Sequence, residues 1–442
     1  MTAFFEKIVL GTVVPVLLIG SGIFFLFYLR FFFLIKPSVF YLLKKQEKKR
    51  GVSPFAALTV ALAGTLGVGN IVGVAGAILL GGPGAVFWMI VSAAAAMVLK
   101  YGEIVLARRH GRSSSSLHYG GAMYYMEDYF REKRAPRLGK FYGGAFALLC
   151  LLNSVSMGCM LQANAVSSSF SSVSRIPYYI IGAVLVILVG FVLLKNIYDI
   201  SSLTTVIIPV MTAIYVILSV IVIFRFRERL PYTVLLILKN AFSLRSAGSG
   251  LAGSAFAAAL HFGCMRGLLS NEAGCGTAPM AHASSGNALP AVQGLWGIIE
   301  VFVDTVLLCT LTALSILLVT GGELSVYTAG DEMKLVLVSY GTALGMYAPL
   351  CMTVMVFFFA YATIICWAYY GLTTLRYLTK SRTAEKMYKM LFLTCVFFGC
   401  REINLFVWQL SDFSLGMMTI INLIVLILMR KEIRSETERI LP

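Results

Sequence analysis

Four ionisable residues lie inside or beside long apolar stretches, where they could form charge pairs or carry a proton or a cation. Glu300 and Asp304 are four residues apart, so a helix presents both on one face. Arg266 and Glu272 flank a glycine-rich interruption of another apolar stretch. One expectation is that these two pair with each other or with one of the other acids, which would lock a scaffold or a gate. The alternative is that Asp304 or Glu272 carries a proton or a cation.

A second pair of charged residues, Lys100 and Glu103, lies near the end of a different apolar stretch. Long charged side chains near the end of a membrane helix can reach the polar surface while their stems stay in the apolar region. We expect both side chains to reach the surface in this way.

Several chemistries are excluded by the residues that are present. The nine cysteines are scattered through apolar runs without a C-x-x-C pair and the four histidines are dispersed, so neither a disulfide framework nor a metal cluster is expected. The glycines around residue 67 lack the G-x-G-x-x-G spacing of a nucleotide-binding loop, and no strand is expected before them. No pair of nucleophile and base stands out. The sequence therefore predicts that the protein is not an enzyme and uses no cofactor.

The stretch "GTLGVGNIVGVAG" (64–76) interrupts an apolar run at its centre. Glycine weakens a helix by about 1 kcal/mol against alanine, so Gly67-Val68-Gly69-Asn70 predicts an unwound segment. In a bilayer, unpaired backbone groups persist only where they are buried in protein or line a cavity. Free N–H groups attract a carboxylate and free carbonyls attract a cation. Close helix packing through small residues is the simpler alternative.

A second interruption, Ser270 to Thr277, lies inside the apolar run 250–285. Its Gly274-Cys275-Gly276-Thr277 is similar to the first break. If the first helix is set aside, ten spans remain, and each group of five opens with a broken helix. Two five-helix units have opposite topology, which is typical of a secondary transporter with its site at the repeat interface.

The composition identifies a membrane protein. Of the 442 residues, 59% are hydrophobic and 13% are charged, and the mean hydropathy is +0.86. Apolar runs predict about 11 transmembrane helices in an all-α polytopic fold. They lie near residues 8–30, 54–80, 84–107, 141–170, 177–194, 201–224, 250–285, 291–319, 343–375, 389–408 and 411–429.

Basic residues set the expected orientation. The net charge of +16 could suggest a nucleic-acid partner, but the basic residues fall in the short breaks between apolar runs. The positive-inside rule then places the N-terminus outside and the C-terminus in the cytoplasm of a cell-membrane protein. The predicted segments are an N-terminal helix and basic linker (1–50), a first inverted repeat (51–224), an extracellular interfacial segment (225–247), a second inverted repeat (248–430) and a cytoplasmic tail (431–442).

Five segments resemble the alanine or glycine:cation symporter family. They are "GNIVGVAGAILLGGPGAVFWM", "GGAMYYM", "MRGLLSNEAGCGTAPMAHA", "IIEVFVDTVLLCTLTAL" and "CWAYYGLTTLRYL". The resemblance runs from about residue 51 to 430. It implies an inverted five-plus-five fold like that of the bacterial leucine transporter. It also implies transport of small neutral amino acids, such as alanine or glycine, together with a cation, usually sodium.

The resemblance also implies roles for individual residues. The substrate would meet Gly67, Val68, Gly69, Asn70, Gln162, Asn271, Gly274 and Trp367. Sodium would meet Ala63, Thr65, Leu66, Asn70 and Thr363. In this scheme, backbone groups hold the substrate carboxylate and Trp367 closes over a small side chain.

Among the residues that differ from the family pattern, two bear on the expected cation site. Ala362 stands where serine is usual and Val68 stands where threonine is usual, so two hydroxyl groups are replaced. A hard cation prefers five or six oxygen ligands. A proton-coupled or uncoupled amino-acid carrier with a weakened sodium site is therefore the alternative within transport. A non-transporting amino-acid receptor is the alternative of another class.

Overall fold

Helices form at the predicted apolar runs in the computed structural model, because a helix satisfies its backbone groups internally. The structure describes residues 5–45, 52–114, 117–174, 176–193, 197–243, 251–286, 289–401 and 405–441. Each predicted span overlaps a helix, and the parts of the predicted segments outside these ranges lie outside the described residues. The all-helical prediction is confirmed, apart from one short hairpin.

The first half of the chain contains eleven described helices and the hairpin. The helices are α1 (Val14–Tyr28), α2 (Phe32–Ile35), α3 (Pro54–Thr65), α4 (Val72–Gly81), α5 (Ala85–Arg109), α6 (Ala122–Glu132), α7 (Pro136–Val155), α8 (Gln162–Val173), α9 (Tyr178–Leu193), α10 (Ile197–Arg225) and α11 (Leu230–Ala241). The hairpin joins β1 (Arg112–Ser114) to β2 (Leu117–Tyr119). Five π-helical or 3₁₀ segments accompany them, namely π-helical Phe5–Val13 and Ser156–Leu161, and 3₁₀ Pro37–Lys45, Val68–Asn70 and Arg227–Arg229.

The described second half contains α12 (Leu251–Asn271), α13 (Pro279–Ala283), α14 (Pro290–Val301), α15 (Thr310–Thr320), α16 (Glu332–Leu344), α17 (Ala348–Leu378), α18 (Arg382–Gly399), α19 (Leu405–Leu428) and α20 (Arg430–Glu438). A π-helical segment, Phe302–Cys309, joins α14 to α15. π-helical turns are rare and often occur at functional sites.

Seven helical stretches among the described residues are long and apolar enough to cross a membrane. They are Ile8–Tyr28, Ala85–Arg109, Pro136–Val173, Asp199–Arg225, Pro290–Thr320, Ala348–Leu378 and Leu405–Leu428. Three shorter apolar helices, α3, α4 and α9, accompany them. The stretch 85–109 is 78% buried and packs against α1, α12 and α14, whereas 199–225 is only 22% buried. α5 is therefore central, and α10 presents its apolar surface to the outside of the bundle.

Both predicted helix breaks are present. α3 ends at Thr65, a single 3₁₀ turn spans Val68–Asn70, and α4 begins at Val72. α12 ends at Asn271, after which Glu272, Gly274 and Gly276 all have positive φ angles. Such angles cannot continue a right-handed helix and suit glycine best. Pro279 then opens α13, where its missing N–H is tolerated.

Several elements were absent from the sequence prediction. The basic loop after α5 contains the hairpin and α6, and α16 precedes α17 as a separate helix. The predicted interfacial segment 225–247 contains α11, whose end is held by the Trp88 indole N–H that donates to the Ala241 carbonyl at 3.1 Å. Residues 244–247 of that segment lie outside the described residues.

Candidate functional site

The first break is held open by side chains rather than by helical hydrogen bonds. The N–H of Gly67 donates to the Thr65 carbonyl at 2.8 Å and to Asn70 Oδ1 at 3.1 Å. The N–H of Val68 donates to Gln162 Oε1 at 3.0 Å. Backbone donors at a helix break are normally satisfied by side chains, water or a ligand. Two amide side chains therefore bind the backbone N–H groups of this break, in place of the carbonyls of a regular helix.

A π-helical segment positions Gln162 for this contact. Residues Ser156–Leu161 form that segment immediately before α8, and Gln162 Nε2 donates back to the Met157 carbonyl at 3.3 Å. This bond leaves Oε1 to face the first break.

Gly67 lies where no side chain would fit. A Cβ atom at this position would lie 2.6 Å from Thr363 Oγ1 and 2.8 Å from Gln162 Oε1. Gly69 is close to the second break instead, since a Cβ there would lie 3.1 Å from the Ser270 Cα. The two breaks are therefore in contact near the middle of the bundle.

Oxygen atoms from two helices converge beside Gly67. Thr363 Oγ1 of α17 lies 2.9 Å from the Ala63 carbonyl, 3.4 Å from the Leu66 carbonyl and 3.0 Å from the Phe359 carbonyl. Hydroxyl and carbonyl oxygens in such a group suit a hard cation. Ala362 adds no side-chain oxygen, so Thr363 supplies the hydroxyl.

Thr65 does not join this group through its side chain. Its hydroxyl lies 3.3 Å from the Ala61 carbonyl and 3.4 Å from the Leu62 carbonyl of its own helix. Its carbonyl accepts the N–H of Gly67. Of the residues predicted to meet a cation, the structure brings Ala63, Leu66 and Thr363 together.

Asn70 belongs to a different cluster, which links both breaks to the π-helical segment 302–309. Its Nδ2 donates to Asp304 Oδ1 at 2.8 Å and to Ser270 Oγ at 2.9 Å. Ser270 and Thr305 each donate to Asp304 Oδ2 at 2.6 Å. Asn271 Nδ2 in turn donates to Thr305 Oγ1 at 3.2 Å. All five side chains are buried, and their hydrogen bonds connect the two breaks.

The carboxylate of Asp304 is bound here by neutral donors. Amide and hydroxyl groups supply the hydrogen bonds described above, and the side chain is 0% exposed. Taking an isolated carboxylate out of water is strongly unfavourable unless a cation or a proton accompanies it. The arrangement is therefore suited to bind a small cation or a proton.

Trp367 lies against the second break. Its indole N–H donates to Glu272 Oε1 at 3.0 Å, and Thr277 Oγ1 donates to Glu272 Oε2 at 2.6 Å. A Cβ atom on Gly158 would clash with the Trp367 side chain, so the indole packs closely on the π-helical segment 156–161. Trp367 thus connects α17 to the break that follows α12.

The backbone of the second break is held by two side chains. Glu103 Oε1 accepts the N–H of Gly276 at 2.9 Å and Asn422 Nδ2 at 2.5 Å. Asn422 Nδ2 also donates to the Gly274 carbonyl at 2.9 Å, and Tyr125 donates its hydroxyl to Asn422 Oδ1. The predicted extension of Glu103 to the surface is wrong, because the side chain is 0% exposed and binds this backbone.

Lys100 is also 0% exposed, so the same expectation is wrong for it. Its Nζ lies 3.2 Å from Glu300 Oε1. Glu300 and Asp304 serve different clusters, although a regular helix would present them together. The π-helical segment begins at Phe302, between them, and changes the helical register.

The predicted pairing of Arg266 with Glu272, Glu300 or Asp304 is also wrong. Its guanidinium lies 3.4 Å from Asp412 Oδ1 and 4.8 Å from the centre of the Trp408 ring. Both partners lie on α19, so the contact joins α12 to α19 across the bundle.

A narrow cleft adjoins the first break on a mostly apolar side. It is lined by Leu66, Gly67, Asn70, Ile71, Tyr215, Leu308 and Phe359. Gln162 and Trp367 are not among these lining residues.

Several residues that hold the two breaks were not predicted from the sequence. They are Glu103, Ser270, Thr305 and Asn422. Glu103 had a usable signal, because an acid within an apolar run is costly unless it is partnered. The other three are neutral polar residues, whose role becomes visible only when distant helices meet.

Two interrupted helices that meet around buried polar groups, within a bundle of membrane-spanning helices, define a multi-pass membrane transporter. The solved structure of MhsT in complex with L-phenylalanine shares this fold. The TM-score is 0.60 at 11% sequence identity, and the match covers 89% of this chain and 93% of that chain.

The chain belongs to the sodium:alanine symporter family, which it matches over residues 1–440. The sodium/alanine symporter AgcS of Methanococcus maripaludis is 34% identical over 443 residues, which cover 98% of this chain and 95% of AgcS. An uncharacterized transporter of Haemophilus influenzae is 34% identical over 438 residues, which cover 98% of this chain and 94% of that transporter. The family resemblance seen in the sequence is confirmed, and the protein is a transporter rather than an enzyme.

Proposed function

We propose that the protein imports small neutral amino acids, alanine or glycine, together with sodium by alternating access. Membership of the sodium:alanine symporter family and the similarity to a sodium/alanine symporter support this. The observation that carries the proposal is the group of oxygens formed by Ala63, Leu66 and Thr363 beside Gly67. A group of oxygens directly beside backbone donors that are now held by two side-chain amides suits the coupled binding of a cation and a carboxylate.

The substrate carboxylate would meet the backbone N–H groups of residues 67–70. Gln162 Oε1 accepts the N–H of Val68, so it marks the position from which a carboxylate oxygen would accept the same N–H. Asn271, Gly274 and Trp367 would border the substrate from the second break. The close packing of Trp367 on Gly158 leaves little room beside the indole, which favours a small side chain.

Sodium would lie between the Thr363 hydroxyl oxygen and the carbonyl oxygens to which that hydroxyl now donates. A second cation would be accommodated by Asp304, Asn70 and Ser270, where the carboxylate is bound by neutral donors. Sodium is transported with the amino acid in this scheme, so the protein needs no resident cofactor.

A proton is the second candidate for the coupling ion. The neutral surroundings of Asp304 accept a proton as readily as a cation, and Ala362 offers one oxygen fewer for sodium than serine would. In this version the amino acid is carried with a proton that binds Asp304 or Glu272.

We further propose eleven spans, arranged as one N-terminal helix and two inverted units of five that begin with α3 and α12. Two broken helices at corresponding positions and the likeness to MhsT support this arrangement. The N-terminus would then lie outside the cell membrane and α20 in the cytoplasm, in agreement with the basic residues between the spans.

Uptake of labelled alanine into proteoliposomes tests the proposal. The matched conditions are an inward sodium gradient and potassium alone, at one fixed pH. Strong stimulation by sodium would support the sodium version. Uptake that ignores sodium but follows an inward proton gradient would support the proton version. Alanine or glycine that binds without uptake would favour a receptor, and neither binding nor uptake of any small amino acid would contradict transport itself.

A further inference from the structure

A buried chain of polar groups connects three helices and takes no part in the proposed transport site. Lys100 Nζ lies 3.2 Å from Glu300 Oε1, and His282 Nε2 lies 2.8 Å from Glu300 Oε2. Gln293 Nε2 lies 2.8 Å from His282 Nδ1. All four side chains are 0% exposed. The chain joins α5, α13 and α14 inside the membrane-spanning bundle, where ionisable groups are retained for a function.

The orientation of the Gln293 amide and the proton on the histidine ring depend on each other. With Gln293 Nε2 facing the ring, the amide donates and His282 Nδ1 accepts, which requires a ring without a proton on Nδ1. Such a ring carries its proton on Nε2, where it is donated to Glu300. Lys100 donates to the other oxygen of the same carboxylate. In this arrangement lysine and glutamate compensate each other's charge.

The carbonyl oxygen of Gln293 has no hydrogen-bond partner in this arrangement, although it is buried. A buried acceptor without a partner is unfavourable. A half-turn of the side-chain amide would place this oxygen against His282 Nδ1. It would then accept the proton of a doubly protonated ring. The same side chains can thus serve either protonation state, with one amide rotation between them.

We propose that His282 and Gln293 form a reversible binding site for a proton, in which Glu300 stabilises the protonated ring. The bond that forms is N–H at Nδ1 of His282, and the amide of Gln293 changes from donor to acceptor. Binding of the proton adds one positive charge to this group of four buried side chains. The site is separate from the oxygens around Thr363 and from the cluster around Asp304.

The position of the site connects it to both broken helices. His282 is on α13, which follows the second break. Gln293 Nε2 also lies 3.5 Å from the carbonyl of Pro54, the first residue of α3. The N–H of Gly286 donates to the Val52 carbonyl at 2.9 Å, so the chain after α13 and the chain before α3 are joined. Rotation of the Gln293 amide therefore alters a contact at the start of the helix that carries the first break.

Besides Glu300 on α14, the described residues of the elements packed against α13 include charged groups and tyrosines on three elements. They are Lys100, Tyr101, Glu103, Arg108 and Arg109 on α5, Tyr119 on β2, and Tyr361, Tyr369, Tyr370, Arg376 and Tyr377 on α17. Arg108 binds the carbonyls of Ala283 and Ser285, whereas Glu300 forms the hydrogen bond to the ring. The charged group that directly stabilises a protonated ring is therefore Glu300.

The test is ¹⁵N-histidine NMR of the full-length protein in liposomes between pH 8.5 and 5. The chain has four histidines, and the His282 signal is the one that disappears in a His282→Gln variant. If that variant does not fold, a triple variant with glutamine at positions 110, 118 and 261 leaves His282 as the labelled histidine. We expect a neutral ring protonated at Nε2 at high pH that becomes doubly protonated as the pH falls. A ring that stays neutral down to pH 5 would overturn the proposal.

The role of Gln293 is tested by Gln293→Glu, which places an acceptor beside Nδ1. The midpoint of the His282 titration should move up by about one pH unit, or tenfold in proton affinity. An unchanged midpoint would exclude the amide as the partner of the proton. The titration needs neither substrate nor sodium, so a protein without alanine uptake could still pass it. A protein with uptake could likewise fail it, which separates this inference from the proposed function.

Discussion

The hydroxyl group of Thr363 donates to the carbonyl oxygen of Ala63 over 2.9 Å. This contact joins α17 to the last turns of α3, just before the first break. The Leu66 carbonyl lies 3.4 Å from the same hydroxyl. Because the oxygens come from two helices, their number around a cation depends on the distance between α3 and α17. Separation of the two helices would dismantle this group of oxygens, which in the proposed function would release the cation.

Replacement of Thr363 by valine should weaken sodium dependence. Valine has nearly the same shape but lacks the hydroxyl oxygen, whose polar contact is worth about 1–2 kcal/mol, or roughly 5- to 30-fold in affinity. We expect the sodium concentration for half-maximal alanine uptake to rise about 10-fold. Thr363→Ser keeps the oxygen and should remain within about threefold of the unchanged protein. Equal sodium titrations for all three proteins would remove Thr363 from the cation site.

A methyl group at Gly67 should disrupt the first break. The added Cβ of Gly67→Ala would lie 2.6 Å from Thr363 Oγ1, which is closer than such atoms can approach. We expect alanine uptake to fall at least about 10-fold, because either Thr363 or Gln162 must move away. Gly73→Ala is the matched control, since its Cβ would lie 3.7 Å from the nearest atom. Similar uptake by the two variants would show that the space at Gly67 is not required.

Removal of the carboxylate of Glu103 should destabilise the second break. Glu103→Leu leaves the N–H of Gly276 without its acceptor, at a cost of about 1–3 kcal/mol for a buried group, and removes one of the two acceptors of the Asn422 amide. Glu103→Gln keeps one acceptor oxygen and should be much closer to the unchanged protein. Thermal unfolding in detergent measures the difference. A leucine variant as stable as the glutamine variant would contradict this role.

The positions of both breaks could be predicted from sequence because their cause is local. Glycine clusters weaken a helix wherever they occur, and the structure interrupts α3–α4 and α12–α13 at those clusters. The all-helical fold and the family could be predicted from the sequence as well. Local composition and specific motifs are enough for such inferences.

The partners of the buried charges could not be predicted in the same way. Arg266 contacts Asp412, which is distant in sequence, and Lys100 contacts Glu300. Which residues of two helices meet depends on how the helices pack, and hydrophobic periodicity does not specify that. The π-helical segment at Phe302–Cys309 adds a second obstacle, because it separates Glu300 from Asp304. The predicted roles of Gln162, Asn271 and Trp367 in substrate binding stay predictions.

Outside the membrane-spanning helices, His110 joins the hairpin region to the last helix. Its Nδ1 lies 3.1 Å from Asp128 Oδ2 on α6 and its Nε2 lies 3.0 Å from Glu432 Oε2 on α20. Burial lowers the pKa of His110, but the hydrogen bonds and negative charges of the two carboxylates outweigh burial and raise its pKa above the ordinary value. The hydrogen bond from His110 likewise lowers the pKa of Glu432. The protonated ring therefore holds α20 against α6.

The docking of α20 should consequently weaken as the pH rises. A group whose pKa is raised by folding stabilises the folded state fully below its unfolded value, near 6.5 for histidine, and loses that contribution as the pH passes its folded pKa. The lowered pKa of Glu432 means that its own contribution is lost only at acidic pH. We expect protease cleavage within α20 to be slow at pH 6 and faster at pH 9. His110→Gln should remove this dependence, because glutamine stays neutral throughout. Cleavage that is equally slow at both pH values in the unchanged protein would show that the charge of His110 does not hold the helix.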